Sequence, residues 1–140
     1  MDKWTSVYQK ITDKCDYIKV NTAANTALIE KAEKKLGVKF PGELSEFLLE
    51  INGDNWFMFS VEQIIEINTI TRKLDCYMPL NCLLFFAGNG CGDYFGYPVV
   101  GQNEVNDSNI YRWDHEYDNR IWVASGLEEI ILKYYNEEIS

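Results

Sequence analysis

The sequence predicts an α+β fold, because helical patterns and strand patterns occupy different parts of the chain. Apolar residues recur at three- and four-residue spacing in the first half. Four runs rich in aromatic and branched residues follow, and short turns separate them. The segregation favours a largely antiparallel sheet, with hairpins around 82–99 and 110–124, packed by helices from the N-terminal half and by a C-terminal helix. At 140 residues without a linker or repeat, residues 1–140 are expected to form one domain.

Two helices are expected before residue 38. The first is predicted over residues 2–18, and the second begins at an N-cap, either Asn25 or Thr26, and ends at the C′ glycine Gly37. The apolar stripe of the first helix consists of Trp4, Val7, Tyr8 and Ile11. That of the second consists of Leu28, Ile29, Ala32 and Leu36.

A third helix is the clearest amphipathic pattern in the chain. Pro41 is expected at its first position, where the missing N–H costs nothing, and residues 52–54 with Gly53 end it. Residues 56–59 then predict a short strand buried on both faces. Ser60 and Gln63 have the spacing of a capping box, which predicts a fourth helix that ends near Asn68. The stripe of the third helix consists of Leu44, Phe47, Leu48 and Ile51.

The stretch from Phe85 to Val100 predicts two strands around a glycine turn. Gly88, Gly90 and Gly92 lie between the two runs, and glycine enters the φ > 0 regions at no steric cost. Asp93 follows the last glycine, at a position where a short acidic side chain bonds nearby backbone amides. We therefore expect a hairpin here.

A second hairpin and a last helix complete the pattern. Residues 110–113, which include Trp113, and 121–124 are expected to pair across a charged turn. Ser125 and Glu128 have capping-box spacing, which predicts the start of a C-terminal helix.

The net charge of −9 lies mainly in the C-terminal third. Residues 1–92 hold 12 acidic and 10 basic side chains, a balance of −2, whereas residues 93–140 hold 10 acidic and 3 basic, a balance of −7. Such a field repels nucleic acid and attracts basic partners, although a generic solvated surface has the same composition. No run is apolar enough for a membrane span, and the first residues have no signal-peptide pattern, so a cytoplasmic location is expected.

The sequence predicts no metal site and no cofactor. The four cysteines lack zinc-ligand spacing and are expected to be buried, reduced hydrophobes. Residues 114–119 alternate oxygen ligands as a calcium loop does, but Asn119 replaces its glycine and Ser125 its bidentate glutamate. The glycine turn does not match a phosphate loop, because a strand follows it and Asp93 would repel phosphate.

No catalytic set is recognisable either. Cys91 and His115 are a conceivable nucleophile and base, but their spacing predicts no contact and no third residue orients the histidine. On a strand, Asp114 and His115 would lie on opposite faces. We therefore expect His115 to be an ordinary hydrogen-bonding or surface histidine and the protein not to be an enzyme.

The order of these patterns resembles the SUKH superfamily, which includes fungal cell-wall assembly regulators and bacterial immunity proteins. The similarity rests on residues 29–53, 86–95 and 110–116 and on the closing helix. Its structural motif residues are Gly37, Pro41, Gly53, Gly88, Gly90, Gly92 and Trp113. The resemblance implies an α+β domain without enzymatic activity that, in bacterial members, binds and neutralises a protein toxin, often a nuclease.

Together, resemblance and charge predict an immunity protein that binds a basic nuclease toxin through an acidic, aromatic surface. The alternative is an adaptor of the cell-wall assembly regulator type, with no toxin partner. Neither nucleic acid nor a membrane is expected as a partner, and the oligomeric state stays open. The expected partner-binding residues are Asp93, Tyr94, Tyr97, Asp114, Glu116, Tyr117 and Asp118.

Overall fold

The computed structural model describes residues 3–102 and 104–140 and contains five α-helices and a four-stranded antiparallel sheet. The α+β prediction is therefore confirmed. The helices are α1 (Lys3–Thr12), α2 (Thr26–Leu36), α3 (Gly42–Glu50), α4 (Val61–Thr71) and α5 (Leu127–Tyr135). The strands are β1 (Leu83–Gly88), β2 (Tyr94–Pro98), β3 (Ile110–Asp114) and β4 (Asn119–Ala124).

Local sequence defines both ends of α2 and the start of α4, whereas α4 continues to Thr71, past its predicted end near Asn68. The Asn25 side chain accepts a hydrogen bond from the Leu28 N–H, and Gly37 ends α2 in the left-handed conformation, with φ 69°. The predicted capping box of Ser60 and Gln63 is present, with both reciprocal hydrogen bonds. These predictions are confirmed, because each depends only on neighbouring residues.

Two helix boundaries in the N-terminal half of the chain differ from the prediction. α1 ends at Thr12, not at residue 18. The N–H groups of residues 13–15 bond to carbonyls in the last turn of α1, and farther along Asn21 N–H donates to the Gly53 carbonyl and Ala24 N–H to the Leu48 carbonyl. Pro41 is the N-cap residue of α3 and not its first helical residue, which is Gly42.

The four strands pair in chain order, β1-β2-β3-β4, so β4 lies at one edge. Between Phe85 and Ala87 the register of β1 against β2 shifts by one residue. Asn68, fully buried on α4, satisfies the backbone there: its side chain accepts the Phe85 N–H and donates to the Phe85 carbonyl, both at 2.9 Å. The sheet is thereby bonded directly to α4.

The glycine turn between β1 and β2 is present, and its glycines differ in role. Gly90 and Gly92 have positive φ, 79° and 101°, whereas Gly88 belongs to β1. The Asn89 side chain accepts the N–H groups of Cys91 and Asp93 and so caps the turn. The sequence had suggested that Asp93 bonds nearby backbone amides, but its carboxylate accepts from the Asn89 side chain and from His115 on the other hairpin.

The predicted strand over residues 56–59 is reduced to a single bridge between Met58 and Ala87. Hydrogen bonds from Phe59 N–H to Phe86 and from Gly88 N–H to Phe57 hold the segment beside β1. Phe57 and Met58 are buried, but Trp56 is 54% exposed. The prediction of burial on both faces is therefore wrong at Trp56.

The two faces of the sheet cover cores of different size. One face, with Phe95 and Tyr97, packs on the helices in the main core. The other carries a small cluster of Leu80, Leu83, Phe85 and Trp113, which the irregular segment before β1 covers. Within this smaller cluster, Trp113 of β3 pairs with Tyr94, the first residue of β2.

The predicted capping box of Ser125 and Glu128 is wrong by one residue. Ser125 N–H and Oγ both donate to Oε1 of Glu129, and α5 is capped by Gly126 without a side-chain bond. The first N–H of α5, from Leu127, donates to Oε2 of Glu43 at 3.0 Å. A carboxylate from α3 thus replaces the local cap, where the helix dipole favours negative charge.

The cysteines are free, as expected, but not buried: Cys76, Cys82 and Cys91 are exposed and Cys15 is half-buried. Among residues 3–102 and 104–140, no helix combines the length and hydropathy needed to cross a bilayer.

Candidate functional site

The tip of the β3–β4 hairpin holds most of the residues predicted to bind a partner. Asp114 pairs with Asn119, so residues 115–118 form the turn. The Asp118 N–H donates to the Asp114 carbonyl at 2.8 Å, and Asp118 has a left-handed φ of 58°. Aspartate tolerates this conformation better than most residues, because its short side chain bonds locally. Backbone geometry therefore closes the tip.

The Asp118 carboxylate fastens the tip to the segment before β1. Oδ1 accepts hydrogen bonds from Trp113 Nε1 at 2.7 Å and Arg120 Nη2 at 3.0 Å, and Oδ2 accepts the Met78 N–H at 2.9 Å. Partial burial acts to raise the pKa of Asp118, but these bonds outweigh it and lower the pKa. With a side chain only 19% exposed, Asp118 supports the surface more than it forms it.

A histidine–carboxylate pair joins this tip to the glycine turn. Nδ1 of His115 lies 2.8 Å from Oδ1 of Asp93, and the same oxygen accepts the His115 N–H at 3.1 Å. The bond with Asp93 raises the pKa of His115, against a smaller opposing effect of desolvation. Burial pushes the pKa of Asp93 up, but the bonds from His115 and Asn89 lower it. Both directions favour the ion pair.

The same contact explains why residue 92 is glycine. A Cβ there would lie 2.9 Å from the His115 ring, and its φ of 101° disfavours any side chain. The expectation that nothing orients His115 is wrong, because Asp93 does so from 22 residues away in the sequence. Only the pairing of β2 with β3 brings the two together.

Asp114 also approaches this pair. One ligand atom each from Asp93, Asp114 and His115 lie within 4.8 Å of one another. The prediction of opposite faces is wrong because β3 ends at Asp114 and His115 already belongs to the turn. Two carboxylates and an imidazole are a donor set that a divalent cation can use. The hydrogen bonds between His115 and Asp93 explain why these two side chains lie together without invoking a metal ion.

Glu116 and Tyr117 form the exposed end of the tip. Glu116 is exposed and Tyr117 is 75% exposed. The Glu116 N–H donates to Oδ1 of Asp114 at 2.8 Å, which orders the turn. Within the described part of the chain, no cation forms a salt bridge with Asp114 or Glu116. The tip therefore has an uncompensated negative charge beside an aromatic ring.

The other two predicted aromatic residues are less accessible. Tyr97 is fully buried and donates its hydroxyl to Oε2 of Glu43 at 2.7 Å, so it is not on the surface as the sequence suggested. Tyr94 is half-buried, with its ring 5.9 Å from Trp113 and 5.4 Å from Phe85. Successive side chains of β2 point to opposite faces of the sheet, and this alternation decides how deeply Tyr94 and Tyr97 are buried.

The acidic residues of the C-terminal third do not all lie together. Asp93, Asp114, Glu116 and Asp118 gather at the hairpin tip, whereas Glu128 and Glu129 lie on α5. Both glutamates on α5 are paired, with Lys3 and Lys133. Within the described part of this third, exposed acidic residues without a salt bridge therefore occur at the tip and also at Glu104, Asp107, Glu137 and Glu138.

Trp56 is a second exposed aromatic residue, which the sequence analysis placed in a buried strand. Its N–H donates to Oδ1 of fully buried Asp54 at 2.9 Å, and its ring lies 4.5 Å from that of Tyr17. Asn55 before it has a positive φ of 61° and donates to the Lys19 carbonyl. The Asp54 spacing to Trp56 is typical of an Asx turn, and this is the local signal that predicts the loop.

Two grooves meet at Trp56. One, of about 560 Å³, is lined by Tyr17, Cys15, Cys91 and the C-terminal residues. The other, of about 280 Å³, lies between the glycine turn and α4. Trp56 thus separates two concave surfaces.

The family model described as SMI1-KNR4 cell-wall, SUKH_6, matches residues 26–131, which include all of the motif residues named above. The chain belongs to the SUKH superfamily. No curated protein matches it. SUKH proteins are generally binding proteins without enzymatic activity, which agrees with a site built from a hairpin tip and shallow grooves.

In this SUKH chain, the motif glycines have identifiable structural roles. Gly37 ends α2, Gly92 receives the His115 ring, and a Cβ at Gly53 would lie 2.6 Å from the Ser60 nitrogen. Trp113 is buried below the tip. These residues shape and support the surface.

Proposed function

We propose that this SUKH protein is a cytoplasmic immunity protein that binds a cognate toxin and blocks it without catalysis. Family membership supports a protein-binding role. The observation that carries the proposal is the tip of the β3–β4 hairpin, where Tyr117 is exposed beside Glu116, an exposed carboxylate with no salt bridge among the described residues. Hydrogen bonds of Asp118 and His115 hold this tip in one conformation.

A fixed tip of this kind suits tight association. Ordering a side chain or loop on binding costs affinity, and a tip already held by its own hydrogen bonds avoids part of that cost. Tyrosine is enriched among the residues that dominate interface energetics. Tyr117 is therefore the proposed aromatic anchor, with Asp114 and Glu116 around it.

The charge favours a basic toxin. Nuclease domains that bind nucleic acid are commonly basic, and an acidic surface accelerates association with them and competes with their substrate. The balance of −7 over residues 93–140 supplies the long-range field. Its effect should decrease with salt, because the screening length is only about 8 Å at physiological ionic strength.

The second candidate is an adaptor that binds cellular proteins of the cell-wall assembly pathway. The description of the matching family model favours it. A toxin gene beside the gene of this protein supports the immunity role, whereas an isolated gene supports the adaptor. Growth separates the two directly, because only an immunity protein restores growth of cells that express the neighbouring toxin.

The binding surface is tested with the variant Glu116→Lys/Tyr117→Ala. We expect at least a tenfold weaker affinity for the toxin, mainly with slower association at low salt, because a charge is reversed and the anchor removed. Asp118 is left unchanged, because its substitution would disturb the hairpin itself. Glu46→Lys, on the exposed side of α3, is the matched control.

Equal affinity of the wild type and the double variant would reject the tip as the interface. Failure of the wild-type protein to bind the neighbouring toxin or to restore growth would reject the immunity role.

A further inference from the structure

The groove beside the glycine turn has the dimensions of a site for one side chain. Its volume is about 280 Å³, below the roughly 300–1,000 Å³ of typical small-molecule sites. Its aromatic walls are Trp56, Phe59 and Tyr94, and its polar residues are Gln63 and Glu66 of α4. The three glycines of the turn line the remaining side.

The walls of this groove are fixed by the fold. Phe59 N–H donates to the Phe86 carbonyl at 2.9 Å, and Gly88 N–H donates to the Phe57 carbonyl at 3.0 Å. A Cβ at Gly88 would lie 3.0 Å from the Tyr94 ring and 3.1 Å from the Phe59 ring. The two rings therefore pack directly on the glycine backbone, and they form an edge-to-face pair with centroids 5.9 Å apart.

Trp56 is held at the open side of the groove. The Asp54 carboxylate and the Tyr17 ring fix its backbone and its side chain, yet 54% of the residue stays exposed. A tryptophan ring that is both exposed and immobilised can accept a cation on its face without a further loss of freedom.

The groove is lined by one carboxylate, that of Glu66. Glu66 is exposed, and no salt bridge involves it within the described residues. Among the described residues, no lysine, arginine or histidine lines the groove. Asp93, which follows Gly92 at its end, is paired with His115, so Glu66 carries the unpaired charge. Space is open beyond Gly90, where a Cβ would meet no atom within 4 Å. An anionic ligand would be repelled here, and a cationic one attracted.

From these observations we propose that the groove binds a single arginine side chain of the partner, with the guanidinium against Trp56 and its charge opposite Glu66. Arginine fits better than lysine, because its planar guanidinium stacks on aromatic faces and pairs with a carboxylate through two hydrogen bonds. This assignment rests on the proposed function and names the chemistry of the partner. It adds a second contact point to the hairpin tip.

The groove can be tested without the partner, with N-acetyl-arginine amide as the probe. Titration is followed in ¹H–¹⁵N correlation spectra of the labelled full chain. We expect saturable shifts of the Gly90 and Gly92 amides and of the Trp56 indole N–H, with a dissociation constant in the millimolar range. N-acetyl-citrulline amide, the neutral isostere, should bind at least fivefold more weakly.

Two variants locate the site. Trp56→Ala and Glu66→Gln should each weaken binding of the arginine probe at least fivefold, and Trp56→Phe should restore part of the affinity. Trp122→Ala and Glu46→Gln, which change an exposed tryptophan and an exposed glutamate elsewhere, should leave it unchanged. Equal binding of citrulline, shifts confined to other surfaces, or no effect of the two groove variants would overturn the assignment.

Failure of the groove and failure of the proposed function give different results. If the toxin binds the wild type and both groove variants equally, the arginine site is rejected and the immunity role stands. If the arginine probe binds as expected but no toxin is bound and growth is not restored, the site stands and the immunity role is rejected.

Discussion

Replacing Asp54 with alanine should be among the most destabilising changes in this protein. Its fully buried carboxylate is the acceptor of five hydrogen bonds. Oδ1 accepts the N–H groups of residues 56–58 at 2.7–2.9 Å, and Oδ2 accepts the hydroxyls of Tyr8 and Tyr135 at 2.7 and 2.5 Å. Alanine leaves all five donors without this acceptor.

The magnitude follows from the buried donors. The hydrogen bonds from the Phe57 and Met58 amides and from the Tyr8 hydroxyl are buried. Each unsatisfied buried group costs about 1–3 kcal/mol, so the three together cost roughly 3–9 kcal/mol. Local relaxation reduces this sum, and we expect a loss of about 4 kcal/mol, a large part of the 5–15 kcal/mol that is typical of a domain.

Asp54→Asn separates shape from charge. Its amide oxygen can still accept the three backbone N–H groups, and the two tyrosine hydroxyls can rotate to accept from its NH₂ group. We expect a loss of about 1–2 kcal/mol. The control is Asp16→Ala, at an exposed position, which should stay within about 0.5 kcal/mol of the wild type.

Urea unfolding, followed by circular dichroism at one pH, measures these differences as changes in midpoint at constant slope. A loss below about 1 kcal/mol for Asp54→Ala would contradict the buried-acceptor argument. An asparagine variant as unstable as the alanine variant would show that charge, and not acceptor geometry, stabilises the loop.

Three further predictions concern the glycine turn and the hairpin tip. Gly92→Ala should lower the free energy of unfolding by about 2–3 kcal/mol, and Gly90→Ala should lower it by about 1 kcal/mol. Both glycines have positive φ, but only Gly92 lies against the His115 ring. Equal losses for the two variants in urea unfolding would contradict this prediction. The pKa of His115 is raised in the folded state, so the stability that His115 contributes is fully present below its unfolded pKa of about 6.5 and is lost as pH rises through the higher folded pKa. The pKa of Asp93 is lowered in the folded state, so the stability that Asp93 contributes is present above its unfolded pKa of about 3.9 and is lost as pH falls through the lower folded pKa. An NMR titration of this only histidine should give a pKa above 6.5 that returns toward that value in Asp93→Asn, and an unperturbed wild-type pKa would reject the pair. Asp118→Ala should cost about 2 kcal/mol in the same unfolding assay because three donors lose their acceptor, and a loss under 0.5 kcal/mol would show that the tip does not depend on it.

Sequence was sufficient where one element and its neighbours decide the structure. The α2 caps at Asn25 and Gly37 and the α4 capping box at Ser60 follow from adjacent residues, and the structure confirms them. The amphipathic stripe that begins at Leu44 is buried as predicted. In these segments, side-chain spacing and tertiary packing favour the same conformation.

Sequence was insufficient where a distant group outweighs a local preference. α1 ends at Thr12, and the connector after it bonds to distant backbone through Asn21 and Ala24. At α5, Glu43 from α3 and Glu129 replace the cap that Ser125 and Glu128 would form. Local spacing gives no information about such partners.

The candidate site shows the same division. The sequence predicted the acidic turn with Glu116 and Tyr117, and the structure places both at an exposed tip. It could not predict the contact of His115 with Asp93, because that contact depends on the register of β2 against β3. Nor could it separate exposed Tyr117 from buried Tyr97, since strand register decides which face a side chain occupies.

By itself, the amino-acid sequence determined the fold class, the family, the glycine positions and the excess of negative charge near the C-terminus. These properties depend on composition and on spacing within single elements. Only the tertiary structure decided that Asp54 is buried as the acceptor of the Tyr8 and Tyr135 hydroxyls and that the His115 ring is held against Gly92. Such contacts join residues that are far apart in the chain, and only the packed sheet and helices bring them within hydrogen-bonding distance.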